Sequence, residues 1–228
     1  MRTIPGEPAL IEFRNVSKFY YTPTSRKIVL DHLTLTLPWG AKVGVLGRNG
    51  AGKTTLLGMI AGTMQPASGE IRRHGAISWP LGFGGASHSD LTGTQNVRFV
   101  ARIYGLDTDA LVAYVADFSE LGEFMDMPVR SYSSGMKARL AFGMAMGIAF
   151  DWYIVDEVTA VGDSRFKKKS LAVFKSRLKD AGLLMTSHST GTIRSYCESG
   201  IVLEGGQVRY FPDVEEAIAV HEANMVTA

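Results

Sequence analysis

The sequence of 228 residues contains a single cysteine, Cys197, and no apolar run of membrane-spanning length. A lone cysteine excludes a disulfide within the chain and fits a reducing compartment. The most apolar stretch, residues 140–150, is far too short to cross a bilayer. Residues 1–10, MRTIPGEPAL, contain no apolar signal core. We therefore expect any membrane role of the chain to depend on a partner.

An excess of charge of one sign is also absent. Lysine and arginine together number 24 and the acidic residues 22, which leaves a net charge of +2. A nucleic-acid-binding protein would normally have a concentrated basic face, so we expect no nucleic-acid partner. The sequence has no internal repeat or low-complexity segment, and its 46% hydrophobic content is ordinary for a soluble protein. The length fits one large domain, with or without an insert.

Short apolar runs separated by turn residues predict an α/β chain. Strands are predicted at residues 9–13, 29–37, 41–46, 152–155 and 183–186, and at 200–203 and 207–211 around the turn 204–206. Helices are predicted at residues 53–61 and 164–180. The stretch from about 94 to 147 has a helical pattern without a convincing strand. An α/β core interrupted by a helical insert is the simplest account.

The segment 47–55, GRNGAGKTT, contains the complete phosphate-binding loop pattern between a buried strand and a helix. Glycines let backbone N–H groups turn towards phosphate oxygens, and the following helix directs its positive end at them. The ammonium of Lys53 suits β- and γ-phosphates, and the hydroxyl of Thr54 suits Mg²⁺. The alternative, a glycine-rich turn with a chance lysine, is disfavoured by the strand and helix on either side. The predicted nucleotide-binding residues of this loop are Gly47, Asn49, Gly50, Gly52, Lys53, Thr54 and Thr55.

A second element, residues 152–157 (WYIVDE), is a predicted buried strand that ends in two acids. Burying acids is costly unless they have partners or a function. Asp156 would hold Mg²⁺, and Glu157 would polarise the water that attacks the phosphoanhydride. On its own, the pattern would more often be a strand that ends at an exposed surface.

The segment 131–140, SYSSGMKARL, resembles the signature of ABC nucleotide-binding domains, usually written LSGGQ. Other family motifs occur in order: Tyr20 matches the aromatic residue that stacks on adenine, Asp163 the D-loop, and His188 the switch histidine. Taken alone, Tyr20 would more often pack, His188 would be an ordinary loop histidine, and Ser133 would be a helix N-cap. In order across nearly the whole chain, they make the resemblance to ABC nucleotide-binding domains specific.

The resemblance implies an α/β fold, with a P-loop NTPase (RecA-like) core, an N-terminal antiparallel β subdomain and an inserted α-helical subdomain. The core would span about 9–86 and 149–212, the helical subdomain about 87–148, and a short C-terminal helix 213–228. It also implies ATP with Mg²⁺, and a dimer of two copies that sandwich two nucleotides. Each site would combine Lys53, Glu157 and His188 of one copy with Ser133, Ser134 and Gly135 of the other.

One family feature is missing, the glutamine of the Q-loop. The expected stretch, residues 82–90, contains no glutamine, and alignment places His88 at that position. A neutral histidine can accept from water or bind a metal, but the conservative interpretation is a loop histidine without a metal role. Gln95 lies too far along the chain and matches a different family position.

Segments 77–82, 91–102 and 156–167 are similar to the ATPases of capsular-polysaccharide exporters. The signature wording is shared with O-antigen and teichoic-acid exporters, many of which carry an additional C-terminal domain, so the end at Ala228 favours the capsule group. That resemblance implies a lipid-linked acidic polysaccharide as cargo, a separate membrane-spanning permease, further periplasmic and outer-membrane export components, and a place at the cytoplasmic face of a bacterial inner membrane. Alternatives are an O-antigen or teichoic-acid exporter, a soluble ABC factor acting on ribosomes or DNA, and a non-hydrolysing regulator.

Overall fold

The computed structural model describes residues 10–21, 23–81, 87–157 and 164–226. Within these ranges the chain forms eight strands and seven α-helices. The strands are β1 (Ile11–Tyr21), β2 (Arg26–Leu37), β3 (Lys42–Gly47), β4 (Ser68–Arg73), β5 (Trp152–Asp156), β6 (Gly182–Thr186), β7 (Ser199–Glu204) and β8 (Gln207–Phe211). The helices are α1 (Lys53–Ile60), α2 (Gly93–Tyr104), α3 (Thr108–Ser119), α4 (Ser134–Gly147), α5 (Ser164–Arg177), α6 (Thr190–Tyr196) and α7 (Val214–Val226). None of the helices in these ranges is long and apolar enough to cross a bilayer.

The chain divides into two compact units. The sheet unit contains the eight strands with α1, α6 and α7, and the helical unit contains α2 to α5. Helix α5 is grouped with α2, α3 and α4 in this division. The domain boundaries given in the sequence analysis stay a prediction.

The larger sheet has the strand order β5-β6-β3-β7-β8 and is parallel except for β8. Every residue of β5 and β6 is buried, which explains their continuous apolar runs. In the register of these two strands, Asp156 lies beside Thr186. Because parallel strands end at a common edge, β3 delivers the phosphate-binding loop to the edge where β5 delivers its acids.

The smaller sheet is antiparallel, with the order β2-β1-β4. Tyr20 on β1 pairs directly with Lys27 on β2, so the two side chains share one face of the sheet. Strand β4 was missed in the sequence, because only Ile71 of its six residues is buried and no apolar alternation results. Both sheets contribute to one hydrophobic cluster, whose fully buried members include Phe13, Leu30, Leu57 and Trp152.

The helical unit begins with a capping box at α2. Thr92 accepts from the backbone N–H of Gln95 at 3.1 Å, and Gln95 Oε1 accepts from the N–H of Thr92 at 2.9 Å. The amide of Gln95 is therefore engaged in helix capping. Within the unit, Phe118 of α3 stacks on Phe142 of α4 and meets Phe166 of α5 edge-on. This aromatic cluster joins three helices.

Candidate nucleotide site

The phosphate-binding loop connects β3 to α1, as the sequence predicts. Gly50 and Gly52 have φ angles of 77° and 111°, which side-chain-bearing residues rarely adopt. A Cβ on Gly52 would lie 2.2 Å from Cγ1 of Val29, so glycine is also required by packing. No side chain caps the N-terminus of α1. Its first N–H groups therefore stay available to an anion.

Lys53 holds the loop in shape from within. Its Nζ donates to the carbonyl oxygens of Gly47 at 2.7 Å and Arg48 at 3.2 Å. Burial lowers the pKa of Lys53, and the negative charges of Asp156 and Glu157 oppose that shift. The ammonium thus stands between the loop carbonyls and the two acids that the sequence predicts as its partners in catalysis.

A cavity of about 340 Å³ opens over the loop in the sheet unit. Its lining residues are Tyr20, Lys27, Val29, Asn49, Gly50, Gly52, Lys53, Thr54, Thr55, Asp156 and Glu157. The structure therefore brings together residues that are up to 137 positions apart, since Tyr20 and Glu157 line the same space. The phenol oxygen of Tyr20 lies 3.4 Å from Oγ1 of Thr55, and the ring is 42% exposed. An exposed aromatic ring beside a phosphate-binding loop is suited to stacking on a base.

The two acids are held differently. Asp156 is buried and accepts a 2.6 Å hydrogen bond from the hydroxyl of Thr186. The same hydroxyl accepts from the backbone N–H of Glu157 at 3.1 Å. Thr186 therefore orients the carboxylate of one acid and the backbone of the other.

Sequence reasoning missed Thr186 as a site residue. Its signal was a polar residue at the end of a buried strand, two positions before His188. Only the register of β5 and β6 shows that this position lies beside Asp156.

Glu157 and His188 are in direct contact, with Nε2 of the histidine 2.8 Å from Oε1 of the glutamate. Glu157 has φ = 58°, in the left-handed region that non-glycine residues adopt at a cost. His188 stands in the short loop before α6, where Ser189 caps the helix by accepting from the N–H of Thr192. The Ser189 cap next to His188 and the left-handed backbone at Glu157 thus constrain both residues of the pair.

A second cavity of about 400 Å³ shares Asn49 and Lys53 with the first. His188 lines it, together with His221 and Met225 of α7. Nδ1 of His221 is buried and has no hydrogen-bond partner in the part of the chain that the structure describes. Burial, with a contribution from the charge of Lys53, lowers the pKa of His221 and favours its neutral form. No sequence motif pointed to this histidine.

The signature segment lies in the helical unit. Ser133 is the N-cap of α4, where its hydroxyl accepts from the N–H of Met136 at 3.2 Å. Ser134 and Gly135 form the first turn of that helix. The segment therefore presents a helix N-terminus, as the resemblance implies for a phosphate-facing element.

His88 also lies in the helical unit. Its Nδ1 accepts from the N–H of Asp90 at 3.3 Å. Its backbone N–H donates to Oδ1 of the buried Asn96, and its backbone carbonyl accepts from Nδ2 of the same residue. These contacts are those of a structural loop histidine, and a Q-loop role for His88 stays a prediction. Asp163, the predicted D-loop residue, lies outside the described residues.

With this geometry established, comparison with known proteins identifies the family. The model of the ABC transporter family matches residues 30–160, more than half of the chain. The chain belongs to the ABC transporter family, and its predicted assignment to the ABC-type ATPases is confirmed.

Individual relatives agree with this assignment. The chain is 45% identical to the polysialic acid transport ATP-binding protein KpsT of Escherichia coli, over 92% of its own length and 95% of that protein. It is also 45% identical to the capsule polysaccharide export ATP-binding protein CtrD of Neisseria meningitidis serogroup B, over 91% of its length and 96% of that protein.

A solved structure confirms the predicted fold class. The dimeric post-hydrolysis structure of the ATP-binding cassette MJ0796, bound to ADP and Pi, superposes with a TM-score of 0.72 at 21% identity. The match covers 88% of this chain and 97% of that one. The α/β cassette fold predicted from the sequence is therefore the fold observed.

Proposed function

We propose that this chain is the ATP-binding and ATP-hydrolysing subunit of an ABC transporter that exports lipid-linked capsular polysaccharide across a bacterial inner membrane. The assignment of ATP hydrolysis rests on one observation. Lys53 and Thr54 of the phosphate-binding loop line the same cavity as Asp156 and Glu157. The similarity to KpsT and CtrD supports the cargo.

ATP would be held at both ends of this cavity. The uncapped N-terminus of α1 and the ammonium of Lys53 would hold the phosphates. The exposed ring of Tyr20 would stack on adenine at the other end of the cavity. The backbone of the loop is already fixed by Lys53, so its N–H groups need little rearrangement.

Hydrolysis would depend on Glu157 and His188. Glu157 lines the cavity and would orient the attacking water and accept its proton. His188, 2.8 Å away, would hold that carboxylate towards the water. Positioning of this kind accounts for most of the catalysis of phosphoryl transfer by proteins.

The oxygen donors in this cavity fit Mg²⁺, which prefers carboxylate, hydroxyl and phosphate ligands. Thr54 and Asp156 would hold the ion, Asp156 from a carboxylate whose orientation Thr186 fixes. When bound, Mg²⁺ supplies positive charge that neutralises the phosphate oxygens.

A second copy of the chain would complete each site. Ser133, Ser134 and Gly135 begin α4, and this helix N-terminus would face the γ-phosphate held by the partner copy. The dimeric state of the MJ0796 cassette supports such an arrangement. Asp163 would belong to the same contact as the predicted D-loop residue.

Transport would require a membrane-spanning permease, with the chain peripheral at the cytoplasmic face of the inner membrane. Periplasmic and outer-membrane export components would act through that permease. The chain itself would contact the permease and not the glycan, so its residues would supply energy to transport without selecting the cargo.

The proposal can be tested in the source bacterium by replacing the chromosomal gene with a Glu157→Gln allele. We expect surface polysaccharide to disappear and polymer to accumulate inside the cell, while the protein remains in the membrane fraction with its permease. Glu216→Gln is a matched control, because Glu216 is exposed on α7 and lines neither cavity. Its surface polysaccharide should equal that of the wild type.

Two outcomes would reject the transport assignment. One is normal surface polysaccharide in a strain whose purified Glu157→Gln protein has lost ATPase activity. The other is copurification with ribosomes and absence from membranes, which would favour a soluble ABC factor.

A further inference from the structure

The strongest feature left unassigned is Lys27, which lines the phosphate cavity from strand β2. The sequence gives no motif around it, and it follows the turn that joins β1 to β2. Two independent neighbours, Tyr20 and Gly50, show where it lies.

The first neighbour is Tyr20, the direct cross-strand partner of Lys27. Side chains of opposite residues in an antiparallel pair project from the same face, with Cβ atoms about 5 Å apart. Lys27 therefore extends beside the ring that would stack on adenine. Its β2 neighbour Val29 packs against Gly52, which anchors this end of the strand to the loop.

The second neighbour is the loop itself. A Cβ built on Gly50 would lie 3.6 Å from Nζ of Lys27. Gly50 has φ = 77° and occupies the turn whose N–H groups are predicted to face phosphate. The ammonium of Lys27 is thus at the rim of the phosphate-binding loop, on the side of the cavity that carries Tyr20.

Lys27 is exposed, and among the residues that the structure describes it has no hydrogen-bond or ion-pair partner. Lys53 differs, because its ammonium donates to the carbonyl oxygens of Gly47 and Arg48 in the loop. Lys18, the other lysine near Tyr20, donates to the carbonyl of Gln65 and lies 5.3 Å from the centre of the Tyr20 ring. Of these three lysines, Lys27 alone has an ammonium for which the described residues provide no acceptor.

We propose that Lys27 is a nucleotide-binding residue that donates a charge-assisted hydrogen bond to the phosphate chain of ATP or ADP from the open side of the cavity. The inference rests on the proposed nucleotide site. A polyphosphate anion has oxygens on every side, and the loop with Lys53 contacts it from below. The exposed ammonium at the rim would contact the side that the loop leaves open and would close the cavity over the nucleotide.

The test is isothermal titration with ADP and with a non-hydrolysable ATP analogue, using wild type, Lys27→Met, Lys27→Arg and Lys53→Ala. Lys27→Met removes the charge from a side chain of similar length, and we expect Kd to rise by at least about tenfold, the lower end of the effect of losing a hydrogen bond to a charged group. Lys27→Arg should remain within about twofold of the wild type because the cation is retained. Raising the salt concentration should weaken wild-type binding more than binding by Lys27→Met.

A matched control is Lys168→Met, which removes an exposed lysine of α5 that lines neither cavity. Its Kd should be that of the wild type, and thermal melts without nucleotide should coincide within a few degrees for Lys27→Met, Lys27→Arg, Lys168→Met and the wild type.

The inference fails if Lys27→Met binds ADP as tightly as the wild type while Lys53→Ala does not bind. It also fails if Lys27→Arg weakens binding as much as Lys27→Met, since the recognised property would then not be the charge. If Lys53→Ala itself binds normally, the proposed nucleotide site is wrong, and that outcome is distinct from the first two.

Discussion

Nε2 of His188 lies 2.8 Å from Oε1 of Glu157, and the two side chains are 67% and 51% exposed. The contact joins the loop after β6 to the residue after β5, so it exists only because these strands are neighbours in the sheet. An exposed pair of this kind contributes little to stability. Its proposed role is to position Glu157 for hydrolysis.

A double-mutant cycle tests this pairing. Glu157→Gln should lower kcat by at least about 100-fold, because it removes the general base. His188→Ala should lower kcat by up to about 100-fold through misplacement of that base, with KM little changed. Because the histidine acts through the glutamate, His188→Ala should cost almost nothing further in the Glu157→Gln background.

Steady-state ATPase assays with purified protein supply the four rates of this cycle, and ADP titration checks that binding is retained. Strictly multiplicative losses would show that the two residues act independently. If Glu157→Gln hydrolyses ATP as fast as the wild type, Glu157 is not the general base.

Thr186 offers a second prediction. Thr186→Val keeps the shape of the side chain but removes the hydroxyl that bonds the Asp156 carboxylate and the Glu157 N–H. Leaving these groups without a partner should lower the free energy of unfolding by about 1–3 kcal/mol. ATPase activity should fall as well, because the orientation of both acids depends on this hydroxyl.

The control for this prediction is Thr186→Ser, which retains the hydroxyl. It should preserve most of the activity, although it loses the γ-methyl group that Thr186→Val keeps. Urea unfolding measures the effect of each variant on the free energy of unfolding, and ATPase assays measure its effect on hydrolysis. Full activity in Thr186→Val would contradict the positioning role.

The sandwich dimer predicts complementation between inactive variants. Lys53→Ala and Ser133→Ala should each abolish hydrolysis, since each removes one half of both composite sites. When they are mixed and allowed to exchange, about half of the dimers are mixed and each has one intact site, so about a quarter of the wild-type activity should return. Activity of the wild type without the permease should also rise more than linearly with protein concentration.

Ser133 is also the N-cap of α4, and its replacement by alanine should cost about 1 kcal/mol. Circular dichroism melts of the Ser133→Ala protein therefore accompany the mixing assay. A folded Ser133→Ala protein that gives no recovery with Lys53→Ala, or activity strictly proportional to concentration, would argue against sites shared between copies.

Cys197 gives a pH prediction. Burial, with a smaller contribution from Glu198, raises the pKa of the Cys197 thiol from 9.0 to about 12. In the unfolded chain the thiol loses its proton near pH 9, so the unfolded state gains stability as the pH rises through this range. The free energy of unfolding should therefore fall between pH 9 and pH 12.

Urea unfolding at a series of pH values measures this fall, and Cys197→Ala is the reference because other groups titrate in the same range. The wild type should lose more stability than Cys197→Ala over the interval. Parallel pH profiles for the two proteins would show that the buried thiol does not contribute.

Part of the site could be predicted because its determinants are local in sequence. The phosphate-binding loop, its glycines and Lys53 lie in one short segment between a strand and a helix, and the structure has that order. The hairpin turn was equally local: Gly205 and Gly206 have φ angles of 54° and 84°, as a two-residue turn requires.

The remainder depends on pairing between distant segments. Thr186 and Asp156 are 30 residues apart, and only the strand register brings them together. The same holds for Tyr20 and Lys27, where register shifts within β1 disrupt simple alternation and hide the pairing. Strand β4 could not be predicted for a related reason. It is a strand because it pairs with β1, and its own sequence has no apolar alternation.

The two hydrogen bonds of Lys53 have a thermodynamic consequence for nucleotide affinity. Because the ammonium already has the carbonyl oxygens of Gly47 and Arg48 as acceptors, an arriving phosphate shares or displaces existing partners. The loop is thus preorganised, and binding loses little chain entropy there. The enthalpy gained when Lys53 binds phosphate is correspondingly smaller than for a lysine without acceptors. The two bonds that preorganise the loop should therefore also favour release of ADP after hydrolysis.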